Sequence, residues 1–105
     1  MDFKLDTKRS ILDISTGHLS FPSRDWLNEQ SAISLAFRTE ADERPVASIA
    51  GFGYGWFLTA HPPEGAREVM PDDINRILEY ARAQQCDYVV FDRDADTVDE
   101  LPSFE

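Results

Sequence analysis

The chain has 105 residues, 42% hydrophobic and 11% aromatic, which is the size of one domain with enough apolar surface for one core. Twenty acids against ten bases leave a formal charge of −10, which excludes a Lys/Arg-driven grip on naked nucleic acid or on an anionic membrane and favours a basic partner or plain solubility. A single cysteine, Cys86, excludes an internal disulfide, one cysteine with two histidines falls short of a four-ligand zinc site, and no stretch reaches the ~20 apolar residues of a membrane span.

Residues 1–10 are polar and of mixed charge, and read as a loose arm or a short edge strand. Met1-Asp2-Phe3-Lys4-Leu5-Asp6 has no apolar run and is not a signal peptide, so a cytoplasmic location is the default expectation. Ile11-Leu12-Asp13-Ile14-Ser15 is a short apolar run and a first strand, and a polar loop, Ser15 to Ser20, follows it. A helix over roughly residues 22–31 has Ser20 or Ser23 as cap, Pro22 in its first turn and Asp25 near its positive end, with Trp26, Leu27 and Gln30 inward.

Ile33, Leu35 and Phe37 alternate with Ser34, Ala36 and Arg38, which predicts a half-buried strand. A charged loop, 39–45, leads into Val46–Ala60. In extended form this stretch puts Phe52, Tyr54 and Trp56 on one face and Gly51, Gly53 and Gly55 on the other, or it is two strands joined at the glycines. His61-Pro62-Pro63-Glu64-Gly65 is a breaker-rich loop.

The clearest helix covers about 71–85. Pro71 opens it, Asp72 and Asp73 occupy its first turn, and Ile74, Ile77, Leu78 and Ala81 make one apolar stripe. Cys86 at its end reads as core packing. Tyr88-Val89-Val90-Phe91 is a strand of β-favouring residues. The tail from Asp92 to Glu105 is acidic and interrupted by Leu101, Pro102 and Phe104, so part of it packs back. The whole is one domain, 1–105, with the order β-α-β-β-α-β. The fold class is α+β, an antiparallel sheet with two helices of the ferredoxin-like or split βαβ type.

Several constellations carry chemistry. Gly51 to Phe57 resembles the third-strand signature of RNA-recognition motifs, in which sheet aromatics stack on bases. Ala50, Gly55 and Leu12 depart from that pattern, and the net charge has the wrong sign. A phosphate loop must open a helix, whereas Trp56-Phe57-Leu58 continues as strand. Asp92, Asp94 and Asp96 have the spacing that opens a calcium loop, but Thr97 and Ser103 stand where it needs Gly and Glu. His18, in a loop at a strand end, is a candidate general base or contact residue. No metal site and no cofactor are expected.

The chain also resembles a family of short uncharacterised proteins of bacterial chromosomes, plasmids and phages, a domain of unknown function. The resemblance covers most of residues 11–105. It rests on the order of Ser15-Thr16-Gly17-His18-Leu19, Tyr54-Gly55-Trp56-Phe57, Pro71-Asp72-Asp73, Cys86-Asp87, Phe91-Asp92-Arg93-Asp94 and Leu101-Pro102-Ser103-Phe104-Glu105. It implies a mobile-element setting and no particular catalytic activity.

The expected function is that of a non-enzymatic acidic protein, monomer or homodimer, that binds a basic protein partner or a nucleic-acid-binding complex. In its sharpest form it is a mobile-element inhibitor of a host nucleic-acid-binding defence complex, of the anti-CRISPR or anti-restriction type. The expected contact residues are Asp92, Asp94, Asp96, Asp99, Glu100, Tyr54, Trp56 and His18. The alternatives are an RNA-binding module that uses Phe52, Tyr54 and Trp56, and a small enzyme centred on His18. No direct nucleic-acid contact and no membrane contact are expected of the first reading.

Overall fold

The computed structural model describes residues 9–37 and 49–104, with the side chains of residues 34–37 outside the description. The arm expected over 1–10, apart from residues 9 and 10, and the charged loop expected over 39–45 lie outside the described residues. The elements are β1 (Ile11–Ser15), a 3-10 turn (Thr16–His18), α1 (Phe21–Phe37), β2 (Ile49–Phe52), β3 (Gly55–Thr59), α2 (Ala66–Val69), α3 (Asp72–Ala83) and β4 (Tyr88–Asp92).

The fold is α+β with the expected order of main elements, but the residues are partitioned differently. The strand expected over 33–38 is instead the end of α1. Alternation over so few residues does not distinguish a strand from a helix, and Ser23, Leu27 and Gln30, all buried, set a helical stripe first. Ala32, Leu35 and Ala36 are good helix formers and propagate it. The strand count is restored because Val46–Ala60 contributes two strands joined by Gly53-Tyr54.

The sheet is mixed and not purely antiparallel. Its order is β1-β4-β3-β2. β1 runs parallel to β4, with Ile14 beside Phe91, and β4–β3 and β3–β2 are antiparallel. Register places Ile14, Phe91, Val89, Leu58 and Ile49 on one face, where all are buried with Leu27 of α1 and with Ile74, Ile77, Leu78 and Ala81 of α3. Both long helices therefore cover that face. The opposite face carries exposed Ile11 and Phe52, and between them the rings of Phe57 and Tyr88 stack with centroids 5.1 Å apart.

One carboxylate ties the two helix starts together. Ser20 caps α1, its Oγ accepting from Ser23 N–H at 3.3 Å. Asp73, in the first turn of α3, accepts from Ser20 N–H at 2.9 Å, from the Ser23 hydroxyl, and from Ile74 N–H at 3.0 Å. The positive end of α1 thus receives its negative charge from Asp73 of a different helix, while Asp25 is exposed. At the other end of α3, Gln85 takes a left-handed φ of 61°. Cys86 N–H reaches Ala81 O at 2.9 Å and Gln85 N–H reaches Arg82 O at 2.9 Å, which is a Schellman stop with glutamine where glycine is usual.

Candidate functional site

Because β1 and β4 are parallel neighbours, the segments that follow them leave the same end of the sheet, with Ser15 beside Asp92. The polar loop after β1 and the acidic turn after β4 are therefore adjacent. The acidic turn is built by Asp92, whose carbonyl accepts from Ala95 N–H at 3.1 Å and whose Oδ1 accepts from Asp94 N–H at 2.9 Å. Arg93 N–H donates to Tyr54 O at 3.0 Å, which ties the turn to the β2–β3 hairpin. The Arg93 guanidinium lies 4.6 Å from the Tyr54 ring centroid.

From there the tail returns as a strap across the loop after β1. Ser15 N–H bonds Asp96 O at 3.1 Å, and Phe104 N–H bonds Gly17 O at 2.8 Å. Leu101 is buried in the core, and Val98 packs against it. The Tyr80 hydroxyl donates to Glu100 Oε2 at 3.0 Å. That hydrogen bond, with some desolvation and the nearby Glu100 charge, raises the tyrosine's pKa above its ordinary value.

His18 is the clasp of this strap. It is 2% exposed. Its Nε2 accepts from Val98 N–H at 2.9 Å, so that nitrogen carries no proton, and Nδ1–H donates to Pro102 O at 2.7 Å. Both ring nitrogens are committed to tail backbone. His18, expected as a contact residue or general base, is thus placed in the interior with both ring nitrogens already bonded.

The aromatics also separate. Register puts Phe52 opposite Gly55, on the face away from the helices, and Trp56 opposite Phe91, on the helical face. Trp56 is half-buried, with its Nε1–H donating to Asn28 Oδ1 at 3.2 Å. Tyr54 sits in the hairpin turn, 52% exposed. Because the chain reverses between Phe52 and Gly55, the three aromatics do not lie in a row on one face of the sheet, although all three border one cleft between α1 and the hairpin.

Gly55 has a firm steric reason. A Cβ built there would lie 1.5 Å from Phe91 O, so only glycine lets β3 approach β4 at this end of the sheet. Asp94, Asp96, Asp99 and Glu100 are exposed along the turn and strap, and Asp92 is half-buried. Sequence reasoning missed Asp73 as a clamp and the backbone partners of His18.

The fold and the fold-back strap define a two-layer α+β domain whose C-terminal segment is an integral part. The chain belongs to the family of unknown function DUF5983, whose C-terminal domain matches residues 11–105. Neither a curated protein nor a solved structure matches it. Among the described residues no group of three or more His, Cys, Asp or Glu side chains gathers as a metal site, and no helix is long and apolar enough to cross a membrane.

Proposed function

We propose that the domain is a non-enzymatic interaction module that presents the carboxylates of its turn and strap to a basic protein surface. The observation that carries this reading is the anchoring of the strap. Backbone bonds to Ser15, Gly17 and His18, with Leu101 buried, hold the segment in place while Asp94, Asp96, Asp99 and Glu100 stay exposed. Carboxylates already ordered cost less to immobilise on binding than those of a loose tail. A net charge of −10 steers a basic partner toward the domain over a Debye length of about 8 Å at physiological salt. Tyr54, at the hairpin beside the turn, supplies the exposed aromatic of the contact. In its sharper form the partner is a nucleic-acid-binding defence complex, whose phosphate groove the carboxylates would occupy in the manner of an anti-CRISPR or anti-restriction inhibitor.

The test is capture of partners by the tagged domain from host lysate, with and without nuclease, at low and high salt. A basic protein retained after nuclease and released by salt is expected. Its capture should fall in an Asp94→Asn, Asp96→Asn, Asp99→Asn triple variant and persist when Glu64 and Glu68, elsewhere on the surface, are changed to glutamine. Equal capture by the triple variant, or binding unchanged across a wide salt range, overturns the reading.

A further inference from the structure

A cleft of ≈ 730 Å³ lies between α1 and the β2–β3 hairpin. That is within the usual size of small-ligand sites, about 300–1,000 Å³. Its walls have a composition unlike the rest of the chain. Twenty of the 105 residues are acidic, yet none of the described residues lining this cleft is Asp or Glu, and two are arginines, Arg24 and Arg93. The other polar side chains are those of Thr16, Asn28, Ser31, Tyr54 and Trp56, with Phe52 as a third ring.

The two arginines differ in what they can do. Arg24 is fixed to backbone, its Nε donating to Leu19 O at 3.2 Å and Nη2 to Thr16 O at 2.8 Å, and it contributes a positioned charge. Arg93 is exposed and held by its stack on the Tyr54 ring, which leaves its planar fork of donors for an anion. Gly51 lets β2 lie close to α1, since an added Cβ would meet Ser31 Oγ at 3.3 Å and Trp56 Cδ1 at 3.8 Å.

We infer that this cleft binds a small anion with a flat ring, of the class of a nucleoside monophosphate, with Arg93 taking the phosphate and the Tyr54 and Trp56 walls receiving the ring. The charge of the whole chain sets the size of the ligand. A polyanion is repelled by the −10 of the domain, each added phosphate meeting more carboxylates. A single phosphate in the cleft meets Arg24 and Arg93 with no carboxylate among the described lining residues, and the nearby Asp92 and Asp94 that flank Arg93 oppose a second phosphate more than the first. The inference needs no protein partner, though it shares Tyr54 with the contact surface proposed above and places Arg93 within the acidic turn.

The experiment is an NMR titration of the full chain with AMP, GMP, CMP and UMP. Adenosine, inorganic phosphate and a short single-stranded oligonucleotide serve as comparison arms. At least one monophosphate is expected to shift the resonances of Arg93, Tyr54, Asn28 and the Trp56 indole N–H, with adenosine and inorganic phosphate each weaker. Arg93→Ala, an exposed change that leaves the Arg93 N–H to Tyr54 O backbone bond in place, should weaken the binding about tenfold to a hundredfold, and Arg93→Lys should fall between. The inference is overturned by no shifts at millimolar nucleotide, by shifts confined to another surface, or by an unchanged affinity in a folded Arg93→Ala. Inorganic phosphate binding as well as the best nucleotide also overturns it, as does an oligonucleotide binding far more tightly than any monomer.

Discussion

Replacing His18 with alanine tests whether the strap is clasped as described. The change removes the acceptor of Val98 N–H and the donor to Pro102 O. Each backbone group left buried without a partner costs about 1–3 kcal/mol. Both groups belong to a surface strap, where water can follow the departing ring, so the lower half of that range applies to each, and the vacated imidazole volume adds to it. The two groups alone come to about 2–4 kcal/mol, against about 5–15 kcal/mol for a whole domain. At about 4–8 °C per kcal/mol for a chain of this size, the melting temperature should fall by roughly 10–30 °C. Thermal and urea unfolding measure the global effect, and hydrogen exchange localises it. The amides of Val98 and Phe104 should exchange faster, while those of β3 and β4 stay slow relative to the new global stability. His18→Gln, whose amide can restore one of the two bonds, should lose about half as much. A His18→Ala domain within about 0.5 kcal/mol of the parent, with Val98 as protected as before, would refute the clasp and return His18 to the list of functional candidates.

Three further outcomes follow from the geometry. Gly55→Ala drives a methyl group into Phe91 O, and overpacking against backbone should cost about 2–4 kcal/mol, read as a lowered urea midpoint; an alanine tolerated at no cost would mean that β3 and β4 are farther apart there. Gln85→Gly relieves a left-handed residue at the end of α3 and should raise stability by about 0.5–1 kcal/mol, measured in the same unfolding assay. Because Glu100 holds the Tyr80 phenol protonated to a higher pH than usual, this contact's contribution is present below the ordinary tyrosine pKa of about 10 and is lost as pH rises through the elevated value. An alkaline absorbance titration with Tyr80→Phe as the blank should show Glu100→Gln shifting the phenol midpoint downward.

The sequence made α3 and β4 legible because their signals agree. Pro71, the Asp72-Asp73 turn and the Ile74, Ile77, Leu78 and Ala81 stripe all specify one helix, and Tyr88–Phe91 is bounded by it. It was misleading at Ile33–Phe37, where a helix already begun outranked a local alternation. The face of each aromatic in Val46–Ala60 depended on where the chain reversed, and a reversal by one residue moves every later side chain to the other face. The parallel pairing of β1 with β4 is a long-range choice that no local pattern records. At the candidate site, the acidic tail was readable as charge, and its return over the body was suggested by Leu101 and Phe104. What His18 does was not readable, because its partners are backbone groups of Val98 and Pro102, and backbone groups leave no signature in the choice of residue.

The edge position of β1 has a kinetic consequence. Among the described residues its one sheet neighbour is β4, and the bonds of His18 beyond it reach 80 and 84 positions along the chain. Closing a loop of that length costs about 4 kcal/mol of chain entropy beyond the constant term, before any of those contacts returns a gain. The β2–β3 hairpin and α3 can form early from local contacts, but β1 has no seat until β4 has been added to β3. Folding of this domain should thus be limited by a late docking of β1, and a chain still emerging from the ribosome would hold Ile11, Leu12 and Ile14 as an unpaired apolar segment until β4 appears.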